Sequence, residues 1–187
     1  MGTRHWLNSY GSIPSDIDAD RYPSMLELLN AALKRHASRP AFKAFGQTLT
    51  YADVDRLAQS FAAYLQNKLG VERGDRVAVM MPNLLAFPVT LLGIMRAGAI
   101  QVNVNPLYTA RELEHQLNDA GVETIVIFNG STPTLAEVRA NTRLKTVITV
   151  GVGDASGATL PSPPVDARLG VSVSFAEAIA QGSGLPL

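Results

Sequence analysis

The chain has 187 residues, with 16 Lys and Arg against 16 Asp and Glu and no cysteine. Balanced charge gives no field that would draw in a polyanion, which argues against nucleic-acid binding. Without cysteine there are no disulfide staples, thiolate nucleophiles or iron–sulfur clusters, a composition that suits a cytoplasmic protein; at 47% hydrophobic residues it is also too apolar to be disordered.

Residues 1–22 read as an N-terminal arm. No apolar run follows the charges of its first residues, so it does not resemble a secretory signal. Pro23 and Ser24 open the first periodic segment: Ser24 and Glu27 have capping-box spacing, and Leu26, Leu29 and Leu33 share a face of a helix expected to reach about His36. Two short β-prone runs, Ala41–Phe45 and Gln47–Tyr51, flank Gly46 and predict a hairpin. Thr50 then caps a helix with Val54, Leu57, Ala58, Phe61, Ala62 and Leu65 inward, stopped at Gly70.

A repeating pattern follows. Val77–Met81 is a nearly all-apolar strand, Leu84–Ala97 a helix ended by Gly98, and Ile100–Val104 a second strand. Thr109 and Glu112 cap a helix with Leu113 and Leu117 inward, Gly121 ends it, and Thr124–Phe128 is a third strand. Thr132 and Pro133 start a short helix before a fourth strand at Thr146–Val150. Apolar strands alternating with helices require a mostly parallel sheet covered on both faces, so the expected class is a doubly wound α/β subdomain over 23–150. Residues 151–173 are rich in Gly, Pro and Ser and read as an exposed loop or linker; Ser174 and Glu177 cap a last short helix within 174–187, and the chain reads as cut short there. The apolar stretch Leu84–Met95 is about 12 residues, against the ~20 that a bilayer requires, so no transmembrane segment is expected. It is either enclosed by neighbouring elements or an exposed face favouring self-association.

Motifs of known chemistry are scarce. Gly151, Gly153 and Gly157 imitate a dinucleotide fingerprint with the third glycine late and no helix behind it. Asp16, Asp18, Asp20 and Glu27 imitate a calcium loop, but Arg21 occupies the position that needs glycine. His5, His36 and His115 lack metal-ligand spacing, and there is no nucleophile elbow or Walker lysine loop, so no metal site and no catalytic residue are assigned. The segment Asn103–Thr109 stands out, because it leaves the carboxyl end of a strand expected to be central and runs into a helix cap, on the sheet edge where ligands bind in open α/β folds.

Three stretches carry a family resemblance: Leu49-Thr50-Tyr51 opening a helix, GDRVAVMMP at 74–82, and GIMRAGAIQVNVNPLYTARELEHQLNDAG at 93–121. Together they resemble the N-terminal part of bacterial long-chain fatty-acid:CoA ligases, of the adenylate-forming superfamily; NPLYTARELEHQLNDAG is characteristic of the fatty-acyl branch. The resemblance implies a ligase that uses ATP, CoA and Mg2+ to activate a fatty acid. That family's phosphate grip and lid lysine are absent here, so the chain is expected to be inactive alone, none of its residues is catalytic by carry-over, and the remainder of the enzyme is a partner. The loop Asn105–Thr109 would face incoming CoA and acyl chain, making Asn105, Pro106 and Tyr108 the candidate substrate-face residues. A homodimer, with Trp6, Tyr10 and Tyr22 on the arm, and peripheral membrane association are both compatible with the resemblance. Two other readings stay open at this point: a stand-alone non-catalytic α/β binding or assembly module, and part of an adenylation domain for another carboxylate.

Overall fold

A computed structural model describes residues 4–187. The first helix, α1 (Met25–Arg35), starts where expected: Ser24 is extended, and its side chain accepts from the Glu27 N–H at 3.1 Å. Its inward Leu33 is buried, and Leu26 and Leu29 pack beside it. Strands β1 (Pro40–Ala44) and β2 (Gln47–Thr50) form the antiparallel hairpin, turned by Phe45 at φ 50° and Gly46 at φ 73°. Both turn residues are therefore left-handed, the geometry that suits the twist of a two-residue hairpin loop.

Helix α2 (Tyr51–Asn67) carries a complete capping box, in which Thr50 Oγ1 accepts from the Asp53 N–H at 3.1 Å and Asp53 Oδ2 accepts from the Thr50 N–H at 3.0 Å. All six of its expected inward residues are buried. The remaining elements are β3 (Arg76–Met80), α3 (Ala86–Arg96), β4 (Ile100–Asn103), α4 (Ala110–Ala120), β5 (Thr124–Phe128), α5 (Thr132–Val138), β6 (Thr146–Val150), β7 (Val173–Ser174) and α6 (Phe175–Gly182). Helices α3 and α4 end in the same way. Gly98 and Gly121 lie at φ 78° and 62°, and the next residue's N–H reaches back to Ile94 and Leu117, respectively. That is the Schellman closure, which needs a residue tolerant of positive φ.

The sheet has five parallel strands in the order β4-β3-β5-β6-β7. Period-two alternation divides its side chains between two cores. Val77, Val79, Val126, Ile148 and Val150 join a cluster with residues of α1, α2, α3 and α6; Ala78, Met80, Ile125, Ile127 and Val147 join a second with α4 and α5. Helices thus cover both faces, the doubly wound α/β arrangement. Across the first core the Phe61 and Phe175 rings meet at 5.1 Å, both fully buried, fixing α6 on α2. Arg96 ties three helices together, donating to the Asp55 carboxylate, to the Asp55 carbonyl at 2.8 Å and to Asn30 at 3.0 Å.

Three expectations are corrected. β4 is an edge strand and not a central one, because the chain turns back after it and places β5 on the far side of β3. The two-residue β7 was not legible, being too short to show a period. The stretch 151–170 is a long loop but not an exposed linker throughout: Gly151, Gly153, Ala155 and Leu169 are buried, and the Gly151 and Val152 N–H groups donate to Asp154 and Ser162. Helix α3 is half enclosed, with Ala86, Val89, Leu92 and Ile94 buried and Phe87, Pro88, Leu91 and Met95 partly exposed. Among the described residues no helix is long and apolar enough to cross a membrane.

Candidate functional site

In an open parallel sheet, ligands bind beyond the carboxyl ends of the strands, at the point where strand order reverses. Here the reversal lies between β3 and β5, so the segments Met81–Asn83 and Asn129–Thr132 border that crevice. The loop is tightly held: Thr132 Oγ1 donates to the Asn129 carbonyl at 2.6 Å and accepts from the Asp166 N–H at 3.0 Å. Asn129 Oδ1 is buried with no hydrogen-bond partner. Sequence reasoning did not single out Asn129, because strand order, and with it the switch point, cannot be read from periodicity.

The sequence-predicted residues Asn105, Pro106 and Tyr108 lie together one strand further out, in the turn that leaves β4. Asn105 Oδ1 accepts from the Leu107 N–H at 3.0 Å, and its carbonyl accepts from the Tyr108 N–H at 3.1 Å. This is an Asx-type turn. It leaves Asn105 and Leu107 exposed, while Tyr108 packs against the second core. The turn delivers Thr109 to the head of α4, where Glu112 Oε2 accepts from the Thr109 N–H at 2.8 Å and from its hydroxyl at 2.7 Å. Those two bonds, the backbone one foremost, hold the Glu112 carboxyl below its ordinary value. Gln116 Nε2 donates to the Asn103 carbonyl at 2.9 Å, so α4 is also fastened to the end of β4. The segment is therefore a hydrogen-bonded, solvent-facing turn at the carboxyl edge of the sheet.

A parallel sheet wound on both sides, with the turn Asn105–Thr109 at its carboxyl edge, defines a doubly wound α/β subdomain. The sequence profile of the AMP-binding enzyme family matches residues 29–171, and the chain belongs to that family. It is 51% identical over 150 residues to the long-chain-fatty-acid–CoA ligase of Salmonella typhimurium, an overlap of 80% of this chain and 27% of that protein. The chain thus spans about a quarter of the length of the curated relatives it matches, in their N-terminal region. Among solved structures, an anthranilate CoA ligase in complex with anthranoyl-AMP superposes with a TM-score of 0.71 at 21% identity, covering 85% of this chain and 28% of that one. A long-chain-fatty-acid-CoA ligase from Archaeoglobus fulgidus gives 0.67 at 24% identity, over 87% of this chain and 31% of that one. These two likenesses bear on the fold.

Proposed function

We propose that this chain is the N-terminal part of a long-chain-fatty-acid:CoA ligase (AMP-forming). The observation that supports it is the 51% identity over 150 residues to a curated ligase of that specificity. In the complete enzyme a fatty carboxylate oxygen attacks the α-phosphate of ATP, forming acyl-adenylate and releasing pyrophosphate; the CoA thiol sulfur then attacks the acyl carbon, releasing AMP and one proton. Stabilising the charge on the phosphate oxygens supplies most of such catalysis. In this reading no residue of this chain is assigned to Mg2+. The metal and the phosphate grip belong to the remainder of the ligase, the partner this subdomain requires.

Within that enzyme, Asn105, Pro106 and Tyr108 form part of the face that CoA and the acyl chain approach, a role supported by their place at the carboxyl edge of the sheet. A cytoplasmic location, a homodimer and peripheral membrane attachment accord with this reading. ATP–pyrophosphate exchange tests it. The full-length protein is expected to exchange label when given a long-chain fatty acid, whereas the isolated chain stays at the level of a blank. Asn105→Ala in the full-length enzyme is expected to raise KM for CoA or fatty acid more than it lowers kcat. Exchange by the isolated chain, or a full-length protein indifferent to fatty acids, overturns the proposal.

A further inference from the structure

The outer side of β4 carries a defined set of unused hydrogen bonds. The Ile100 N–H donates to the Asp75 carbonyl at 2.7 Å, and the Val104 N–H to the Val79 carbonyl at 2.9 Å. In a parallel ladder alternate residues turn both main-chain groups toward the same neighbour. Ile100, Val102 and Val104 therefore face β3, while Gln101 and Asn103 turn their N–H and C=O groups outward, where among the described residues no strand lies. The Asn103 carbonyl accepts from Gln116 Nε2 of α4 at 2.9 Å, in keeping with that direction, and a carbonyl oxygen has a second lone pair to offer.

The side chains divide with the same period. Val102 and Val104 pack in the second core, and Ile100, on their face by alternation, is 49% exposed. Gln101 and Asn103 lie on the other face, where Gln101 Nε2 donates to Asn103 Oδ1 at 2.7 Å and Gln101 Oε1 is enclosed without a donor. Set antiparallel to a second copy of itself about a two-fold axis at Val102, this strand complements itself. The Gln101 N–H and C=O meet the C=O and N–H of Asn103 in the second copy, Val102 faces its counterpart, and Ile100 meets Val104. A rotation of the Gln101 amide then brings its unpaired oxygen to the Asn103 Nδ2 opposite. Apolar pairs line one face and amide pairs the other, the cross-strand units that stabilise a sheet. Any extended segment would satisfy the main chain, but the strand's own sequence satisfies both faces, and a total charge of zero opposes no such approach.

We propose that two copies of this chain pair β4 to β4, antiparallel, with Gln101 opposite Asn103 and Val102 on the two-fold axis, joining their sheets into one. The interface is isologous and closed, so association stops at the dimer. The pairing involves the 187-residue chain alone and is independent of the ligase reading, which pyrophosphate exchange tests separately. The chain contains no cysteine, so a single introduced thiol reports the register. Opposed residues that are not hydrogen-bonded to each other have Cα atoms about 4.5 Å apart, within the ~4.4–6.8 Å that a disulfide spans. Under oxidised glutathione Val102→Cys should therefore link into a dimer. Gln101→Cys and Asn103→Cys each sit diagonally from their own counterparts, at about 7–8 Å, and should link at least ~10-fold more slowly. Gln101→Pro removes an outward N–H without taking a bond from β3, a change that edge strands tolerate. It should weaken dimerisation at least ~10-fold, the scale of losing a pair of main-chain hydrogen bonds. Should that variant fail to fold, the thiol series still decides. Sedimentation across a concentration series is expected to show monomer passing to a species of twice the 20.0 kDa chain mass. A chain that stays monomeric, species that grow beyond two copies, linking at 101 or 103 as fast as at 102, or a folded Gln101→Pro that dimerises undiminished overturns the proposal. A dimer that does not link at 102 overturns it too and moves the contact elsewhere, the arm with Trp6, Tyr10 and Tyr22 included.

Discussion

Gly182 lies so close to α2 that a Cβ placed on it would stand 1.9 Å from the Ser60 carbonyl oxygen and 2.8 Å from the Tyr64 nitrogen. Both obstacles are backbone, which cannot turn aside as a side chain would, so Gly182→Ala must push α6 off α2 and loosen the Phe61–Phe175 contact. Overpacking of this kind costs about 1–3 kcal/mol, and urea denaturation should show the midpoint falling with little change in slope. A second local device acts through charge. Asp166 accepts from the Arg168 side chain and, through the Arg168 N–H at 2.9 Å, caps the short turn that buries Leu169; its carboxyl is drawn from 3.8 down to about 2, chiefly by the Arg168 guanidinium. Its folded value lies below its unfolded one, so its contribution is present above 3.8 and is lost as pH falls through about 2. Asp166→Asn should therefore flatten the acid limb of the stability curve in that window. An unchanged limb would mean that Arg168 and Asp166 separate in solution.

The helices of this fold begin and end on signals written in adjacent residues, which is why so many were legible. Ser24, Thr50, Thr109 and Ser174 each accept from an N–H three residues on. Thr50→Ala is expected to cost about 1 kcal/mol, lowering Tm by roughly 2–4 °C for a chain of this size. Bonds from the Thr50 hydroxyl and N–H hold the Asp53 carboxyl below its ordinary value, so this cap too weakens as pH falls below the carboxylate range, and the variant should lose less stability to acid than the parent. Strand pairing has no comparable local signature. Ile100–Asn103 reads as a strand from its own residues, but its place at the sheet edge depends on β5 crossing behind β3, information held in no single element. The same non-locality hid the switch point beside Asn129. The turn Asn105–Thr109 was legible because Pro106 and the Thr109–Glu112 cap are chemistry within eight consecutive residues, Asn105 to Glu112.

At the scale of the whole molecule, coverage of the sheet is uneven. Its faces are enclosed by helices, but among the described residues the outer edge of β4 is unpaired; that strand contains no charge and no proline, and Ile100 on it is 49% exposed. Such edges are templates for further strands unless a charge or proline blunts them. The hairpin side adds Met25, Phe42 and Phe45 at 61%, 44% and 59% exposure, and a net charge of zero supplies no long-range repulsion between copies. The isolated chain is therefore expected to self-associate as its concentration rises, through the edge of β4 in preference to the enclosed part of α3. Light scattering on a dilution series reads this directly. Ile100→Lys, which places a charge on the open edge without touching either core, should shift the chain toward monomer while leaving Tm within about 0.5 kcal/mol equivalent of the parent, as surface changes do. A chain that stays monomeric throughout the series would show that α4, with Gln116 fastened to the Asn103 carbonyl, already shields the edge; association undiminished by Ile100→Lys would move the contact to the hairpin face.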